Sequence, residues 1–419
     1  MAGSTIFGLT GFLFFFVLLW GYLEAKREPI LWVVLFAYAV RVVAYGLHRS
    51  LMPSLYTERL YPFEPTGWQW ASEGMGQVAA SFTFGPDFYS WLISIVYLVV
   101  PRSTMFIAAI NIFLSSALVY VVYRIAEHYG GQRAGTWAAL IVTLFPVALL
   151  QTIILSRETL VTFFLTAGCW KLIQFSEGPG TYRQLAPAIF CLGIASAPHT
   201  GILVSVVLAL ILLGVYAAVR SLARFYTRGP NTAFSKRGLL TASTVGALGI
   251  AATAGFQAVW EPLTGAKVSA LLSAENPLNP VLQVYNSGNR GAAGYPAWLF
   301  TTSPTDAVLL LPPRIVYFLF SPFVWMVHSF RHIAGLLNGI AMVFVFYHAS
   351  AFFIEKRRQR TYTLLYIALL LIAFIVIFAI GVKNFGQAFR HRAKILPVLV
   401  AFGSVAFTTG RDGRSALYP

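Results

Sequence analysis

Lys383-Asn384-Phe385-Gly386-Gln387-Ala388-Phe389-Arg390-His391-Arg392-Ala393-Lys394 sets four fixed cations and a histidine between two apolar runs, residues 361–380 and 395–407. A charge at the centre of a bilayer costs about 3 kcal/mol or more unless it is solvated, paired or used. The side of the membrane on which this segment lies therefore decides how every flanking run threads.

Composition supplies the membrane. The chain is 58% hydrophobic and 11% charged, with mean hydropathy +0.72, whereas soluble domains carry about 25% charge. The net charge of +16 would suggest nucleic acid in a soluble protein. In a polytopic one it is the usual enrichment of Lys and Arg in cytoplasmic loops facing anionic headgroups, so no nucleic-acid partner is expected. Cys169 and Cys191 both lie in apolar runs and read as small core residues rather than a disulfide or metal framework.

Runs of 17–25 apolar residues can cross a bilayer as helices. Residues 5–23, 30–47, 105–123, 134–150, 159–175, 238–258, 333–354 and 361–380 qualify. A run at 185–219 is broken at Ala197-Pro198-His199-Thr200-Gly201 and reads as two short spans, and 395–407 closes the set. The expected fold is all-α: a polytopic transmembrane helical bundle of about eleven spans (range ten to thirteen), residues 1–419 forming a single integral membrane domain. Residues 88–100 and 309–327 are short or carry Pro312, Pro313 and Pro322, and read as interfacial or re-entrant. The first run lacks preceding cations and is followed by Glu24-Ala25-Lys26-Arg27-Glu28. That order favours an uncleaved first span with its N-terminus outside.

Charge then orients the bundle. Sixteen of the 30 Lys and Arg fall in short connections on one side, as the positive-inside rule requires. The outer side receives a first long loop at 48–104, a second at 259–332, and the basic segment 383–394. Function is expected on that face, because loops beyond about 15 residues are usually functional.

Four places there carry chemistry. Glu64 stands in Tyr61-Pro62-Phe63-Glu64-Pro65-Thr66-Gly67-Trp68, at the threshold of an interfacial helix. A carboxylate beside low-dielectric surface suits a general base, though a loop acid capping that helix has the same letters. In Ser156-Arg157-Glu158, Glu158 is either a first-turn acid complementing a helix dipole or a second acid in the outer pocket. Arg290, within Asn289-Arg290-Gly291, could give a bidentate contact to phosphate, with glycine amides beside it; a flexible turn explains the same residues. In a helix Gln387, Arg390, His391 and Lys394 share one face. That face would grip a phosphodiester or diphosphate, or decorate a cytoplasmic boundary. Isolated carboxylates predict no obligatory metal, and no other cofactor is expected.

Several short motifs recur together: Asn111-Ile112-Phe113-Leu114-Ser115-Ser116, Leu155-Ser156-Arg157-Glu158, Tyr295-Pro296-Ala297-Trp298-Leu299, Phe318-Leu319-Phe320-Ser321-Pro322-Phe323, Asn384-Phe385-Gly386 and Arg390-His391-Arg392. With the early acidic loop they make the chain resemble bacterial GT-C-fold membrane glycosyltransferases. Those are relatives of protein mannosyltransferases and aminoarabinose transferases, often encoded among exopolysaccharide assembly genes.

The resemblance implies an inverting transferase in the bacterial cytoplasmic (inner) membrane. Its partners would be a polyprenyl-phosphate-linked saccharide, membrane lipid and other polysaccharide-assembly proteins. Glu64 would match the acid of the first outer loop, as Glu where better-known members have Asp, and Glu158 the second acid. Arg390, His391, Arg392 and Lys394 would hold donor phosphate, with Arg290, Asn384 and Tyr295 completing the binding set. A polymerase or ligase of lipid-linked repeat units needs the same groups; a transporter or scaffold of a polysaccharide machine is the non-catalytic alternative.

Overall fold

The computed structural model describes residues 2–51, 62–177, 182–228, 293–301, 303–356 and 362–411. Their regular structure is helical, as the sequence predicts, and among the described residues the only strand-like feature is an isolated antiparallel bridge between Gly294 and Asn384. In chain order the helices are α1 (Ala2–Ala25), α2 (Leu31–Leu51), α3 (Phe63–Ser72), α4 (Met75–Ala80), α5 (Phe88–Val99), α6 (Thr104–Leu144), α7 (Pro146–Ile153), α8 (Glu158–Glu177), α9 (Tyr182–Ser196) and α10 (Thr200–Arg228). Then come α11 (Pro304–Leu309), α12 (Leu311–Phe320), α13 (Phe330–Lys356), α14 (Tyr362–Gly381), α15 (Phe385–Arg392) and α16 (Leu396–Arg411).

Six of these are long and apolar enough to cross a membrane: α1, α2, α6, α10, α13 and α14, with a seventh if the bent pair α15–α16 counts as one span. The sequence predicts about eleven. Part of the difference lies in α8 and α9. Helix α8 spends Glu158, Lys171 and Glu177 on polar work, and α9 has 15 residues, a rise of about 22 Å against a hydrocarbon core of about 30 Å. The predicted pair 105–123 and 134–150 falls on the two helical halves of α6, which are separated by a kink, the second half leading on into α7. Helix α6 turns at Gly131, whose φ of 74° is open to glycine at little cost. The predicted span 238–258 lies outside the described residues. The break expected at 197–201 is present between α9 and α10; residues 88–100 form the short helix α5, and residues 309–327 hold the short helix α12 and a 3-10 turn at Val324–Met326.

The chain divides into two compact units. Unit 1 comprises Met1–His199, Leu319–Lys356 and Gly386–Pro419; unit 2 comprises Thr200–Phe318 and Arg357–Phe385. In unit 1, α1, α2, α8 and α16 pack around α6, and α13 packs on α16. Gly8 and Gly11 let α1 approach α6 closely, since a Cβ at either would lie 2.4 Å from Met105 Cβ or 2.6 Å from the Phe106 ring. Small residues at helix crossings are how membrane helices gain contact without a hydrophobic driving force. Outward faces are apolar instead: Leu9, Leu13, Phe14 and Val17 of α1 and Ile340, Val343 and Tyr347 of α13 are exposed, as lipid-facing surfaces are. In unit 2, α10 packs against α14.

Three fully buried arginines hold helix ends. The last carbonyls of a helix lack intrahelical donors and carry the negative end of its dipole; away from water, a guanidinium is a suitable partner. In unit 1, Arg41 donates from Nε to Ser115 Oγ (2.8 Å) and from Nη2 to the Val142 carbonyl near the end of α6 (3.5 Å). In unit 2, Arg314 donates to the Ala379, Ile380 and Val382 carbonyls at the end of α14, at 3.0, 2.8 and 3.0 Å. Arg392, in unit 1, donates to the Leu319 and Ser321 carbonyls (2.8 and 2.9 Å) where α12 ends, and to Asn338 Oδ1 (2.8 Å).

Candidate active site

The segment Ile154–Arg157 reverses the chain between α7 and α8, with the Ser156 amide donating to the Ile154 carbonyl at 2.7 Å. Buried Asn111 supports it from α6: its Nδ2 reaches the Ser156 carbonyl (3.5 Å), while Tyr89 OH donates to its Oδ1 (3.0 Å). Glu158 follows as the first residue of α8, where a carboxylate complements the helix dipole.

Lys394 arrives from the other side. Pro397 cannot continue a helix from α15, because it lacks an N–H and its ring clashes with the carbonyl four residues back. The chain accordingly bends by 67° between α15 and α16. The corner points Lys394, fully buried, at Glu158: Nζ lies 2.7 Å from Oε2. Arg390, one turn earlier, places Nε 3.3 Å from Glu158 Oε1 with its side chain 42% exposed. Gln151 of α7 fixes α15 by donating from Nε2 to the Arg390 carbonyl at 3.0 Å.

Two histidines complete the cluster. Lys394 Nζ lies 2.9 Å from His391 Nδ1. An ammonium has only donors, so Nδ1 accepts and the ring proton sits on Nε2. The His199 ring meets His391 edge-on, centroids 5.2 Å apart. Arg157 donates from Nη1 to the Pro198 carbonyl at 2.7 Å and lies 5.8 Å from the Phe63 ring.

Three cations thus surround one carboxylate. Burial alone would raise the Glu158 carboxyl; Lys394, Arg390 and Arg157 outweigh it and hold the group below its ordinary value. His199 is driven well below its ordinary value by burial first, then by Lys394, Arg157 and Arg390, and is neutral at physiological pH. With Glu158 ionised the cluster keeps a positive excess at the amino end of α8, where helix amides also favour an anion. Arg390 is its open arm: its Nη groups donate to no described residue, so they are free for a planar two-point contact.

Glu64 is also buried in unit 1. It lies in the first turn of α3, its side chain 5% exposed. Its Oε1 accepts from Tyr97 OH (2.8 Å) and Arg102 Nε (3.0 Å), and its Oε2 from Arg102 Nη2 (3.1 Å). About four lone-pair positions are available on a carboxylate; one on Oε2 stays open among the described residues. Arg102 also lies over the Trp68 ring at 5.6 Å. Close packing of α3 on α5 needs Gly67, where a Cβ would lie 2.7 Å from the Ser90 carbonyl.

The structure brings Glu158 to the helix face that carries Arg390, His391 and Lys394, two places the sequence names separately. It gives Arg392 the carbonyl partners described above, at the end of α12. Tyr295 and Asn384 belong to unit 2, where the Tyr295 amide donates to the Lys383 carbonyl (2.9 Å) and the Phe385 amide to that of Ala293 (3.1 Å). Arg290 lies outside the described residues. Sequence reasoning passed over Arg102, Tyr97, His199 and Asp87. Asp87 is an exposed acid at the start of α5 that acts electrostatically on Arg157. An arginine closing an apolar helix, Pro101-Arg102, was the legible signal for the first of these.

Residues 85–231 match the family model of the dolichyl-phosphate-mannose-protein mannosyltransferases. The matched stretch takes in Asp87, Arg102, Asn111, Arg157, Glu158 and His199, and stops short of both Glu64 and the basic segment. No curated protein and no solved structure matches the chain.

Proposed function

We propose that this protein is an integral-membrane glycosyltransferase of the inverting GT-C type. It moves a sugar or oligosaccharide from a polyprenyl-phosphate carrier to an acceptor at the outer face of a bacterial cytoplasmic membrane, in cell-surface polysaccharide assembly. The observation that carries this reading is the cation-rich cluster of Glu158, Lys394 and Arg390 at the amino end of α8, within a chain whose matched family is named for lipid-phosphate sugar donors.

In this mechanism the acceptor oxygen attacks the anomeric carbon as the bond from that carbon to the phosphate oxygen breaks. The phosphate leaves with the electron pair. Arg390 neutralises the growing charge through its open Nη groups, which is stabilisation where charge develops. Lys394 and Arg157 add field at short range, and Glu158 and His391 hold Lys394 in place. Glu64, with Arg102 fixing its plane, orients the acceptor hydroxyl and takes its proton on Oε2. Arg392 positions Arg390 and His391 by locking the end of α15.

The test is transfer from a radiolabelled polyprenyl-phosphate sugar in membranes containing Arg390→Ala or Arg390→Lys. Two charge-assisted hydrogen bonds are at stake, each contributing about 1.5–3 kcal/mol, so Arg390→Ala should slow turnover at least 100-fold. Arg390→Lys should recover only part of it. Full activity of Arg390→Ala at normal membrane levels would refute the clamp.

A further inference from the structure

The start of α5 carries an acid for which the proposed reaction has no role. Phe84-Gly85-Pro86-Asp87 turns the chain into that helix. Gly85 takes a φ of 96°, open to glycine at little cost, and its amide donates to the Ala197 carbonyl at 2.7 Å. Arg157 donates to the next carbonyl along, that of Pro198, also at 2.7 Å. Adjacent carbonyls of one turn thus hold the entry to α5 beside Arg157. Phe63 ties the same corner: the Tyr89 ring packs on it with centroids 5.7 Å apart, and the Arg157 guanidinium lies 5.8 Å from it.

Asp87 stands in that corner without structural duty. It is the N-cap residue of α5, yet its side chain caps nothing, and it is exposed. Charges alternate outward from the clamp: Arg390 and Lys394 on Glu158, then Arg157, then Asp87. Beside Asp87 lies an aromatic ledge. Phe84, 39% exposed, stacks on buried Phe88 with centroids 6.3 Å apart. Phe82 meets the Phe84 and Trp91 rings edge-on at 5.2 and 4.9 Å, and Trp91 is itself fixed by its Nε1 donating to the Val78 carbonyl at 3.0 Å.

This chemistry limits the occupant. A carboxylate only accepts hydrogen bonds, so it suits a ligand rich in hydroxyls and repels phosphate. Arg157 beside it disfavours a cationic ligand. The electron-rich face of an aromatic ring attracts the partly positive C–H hydrogens of a pyranose. With phosphate on Arg390, the group bonded to that phosphate is the donor's sugar. We propose that Asp87 and Phe84 form the donor-sugar subsite: the carboxylate accepts hydroxyls of the ring carried on the clamped phosphate, and Phe84 supports its C–H face. The subsite rests on the transferase reading and adds to it the residues that select the donor.

Carrier binding to the full chain in nanodiscs tests it, with bare polyprenyl phosphate compared against polyprenyl-phosphate mannose, glucose and galactose. Wild type should bind at least one hexose carrier more tightly than the bare one. Asp87→Asn keeps the size of the side chain and should cut that preference about tenfold, through loss of charge-assisted hydrogen bonds, with bare-carrier affinity unchanged. Phe84→Ala should narrow the same preference, again sparing the bare carrier. Arg390→Ala should weaken all carriers alike; if it does not, the phosphate grip fails, while Asp87→Asn still reads the sugar preference by itself. A hexose preference that survives Asp87→Asn, an equal loss of bare and hexose carriers in that variant, or a wild type without any hexose preference would overturn the subsite.

Discussion

Replacing Lys394 with methionine leaves a carboxylate buried beside a chain that can no longer donate. Glu158 is 3% exposed and Lys394 0%, so solvent cannot compensate. Breaking one partner of such a pair costs about 3–5 kcal/mol. Arg390 remains 3.3 Å away and the α8 dipole contributes about 0.3–1 kcal/mol, which places the loss near the lower end, about 3 kcal/mol. Glu158→Gln alone should cost a similar amount, because it removes the carboxylate that the buried ammonium faces at 2.7 Å. The double variant has neither charge to strand, and should cost about 2–3 kcal/mol less than the two single losses added together. Unfolding in mixed detergent micelles, followed by tryptophan fluorescence for wild type, both singles and the double, closes the cycle. A coupling below about 0.5 kcal/mol would show that the pair does not act as a unit, and the reasoning built on it would fail.

Two further outcomes follow from the same geometry. Arg102→Gln strips Glu64 of its ion pair but leaves the Tyr97 bond; with Arg102 39% exposed, the stability loss should be only about 1–2 kcal/mol. Transfer should fall far more than thermal stability, and parallel losses would make Glu64 a packing residue. Neutral, buried His199 sets an acid limit. Its folded value lies below the unfolded value of about 6.5, so the unfolded chain binds more protons there and stability present above pH 6.5 is lost as pH falls. His199→Asn should flatten melting temperature against pH between 6.5 and 5; an unchanged slope would assign the acid sensitivity elsewhere.

Much of the fold was legible because hydropathy is local. The runs that became α1, α2, α10, α13 and α14 are apolar over enough residues that no partner need be known. The interruption at Ala197-Pro198-His199 and the weakness of 88–100 and 309–327 were equally plain. Span counting was harder where polarity and length conflict. Thr159–Phe175 looks like a span in one dimension, yet α8 begins and ends in carboxylates and buries Thr162 and Thr166 against its own backbone.

The site divides along the same line. Sequence alone determined that a +16 chain with so little charge must live in a membrane, and it singled out 64, 158 and 383–394 as charges with no apolar excuse. Partnership was beyond it, because ion pairs depend on three-dimensional proximity that no spacing encodes. Tertiary structure decided that Glu158 meets Lys394 across more than two hundred residues, and that Glu64 pairs with Arg102. It also decided that Arg392, whose letters match those of its neighbour Arg390, serves helix-end carbonyls. A buried guanidinium goes to whichever acceptors lack water, and which acceptors lack water is fixed only when the helices pack.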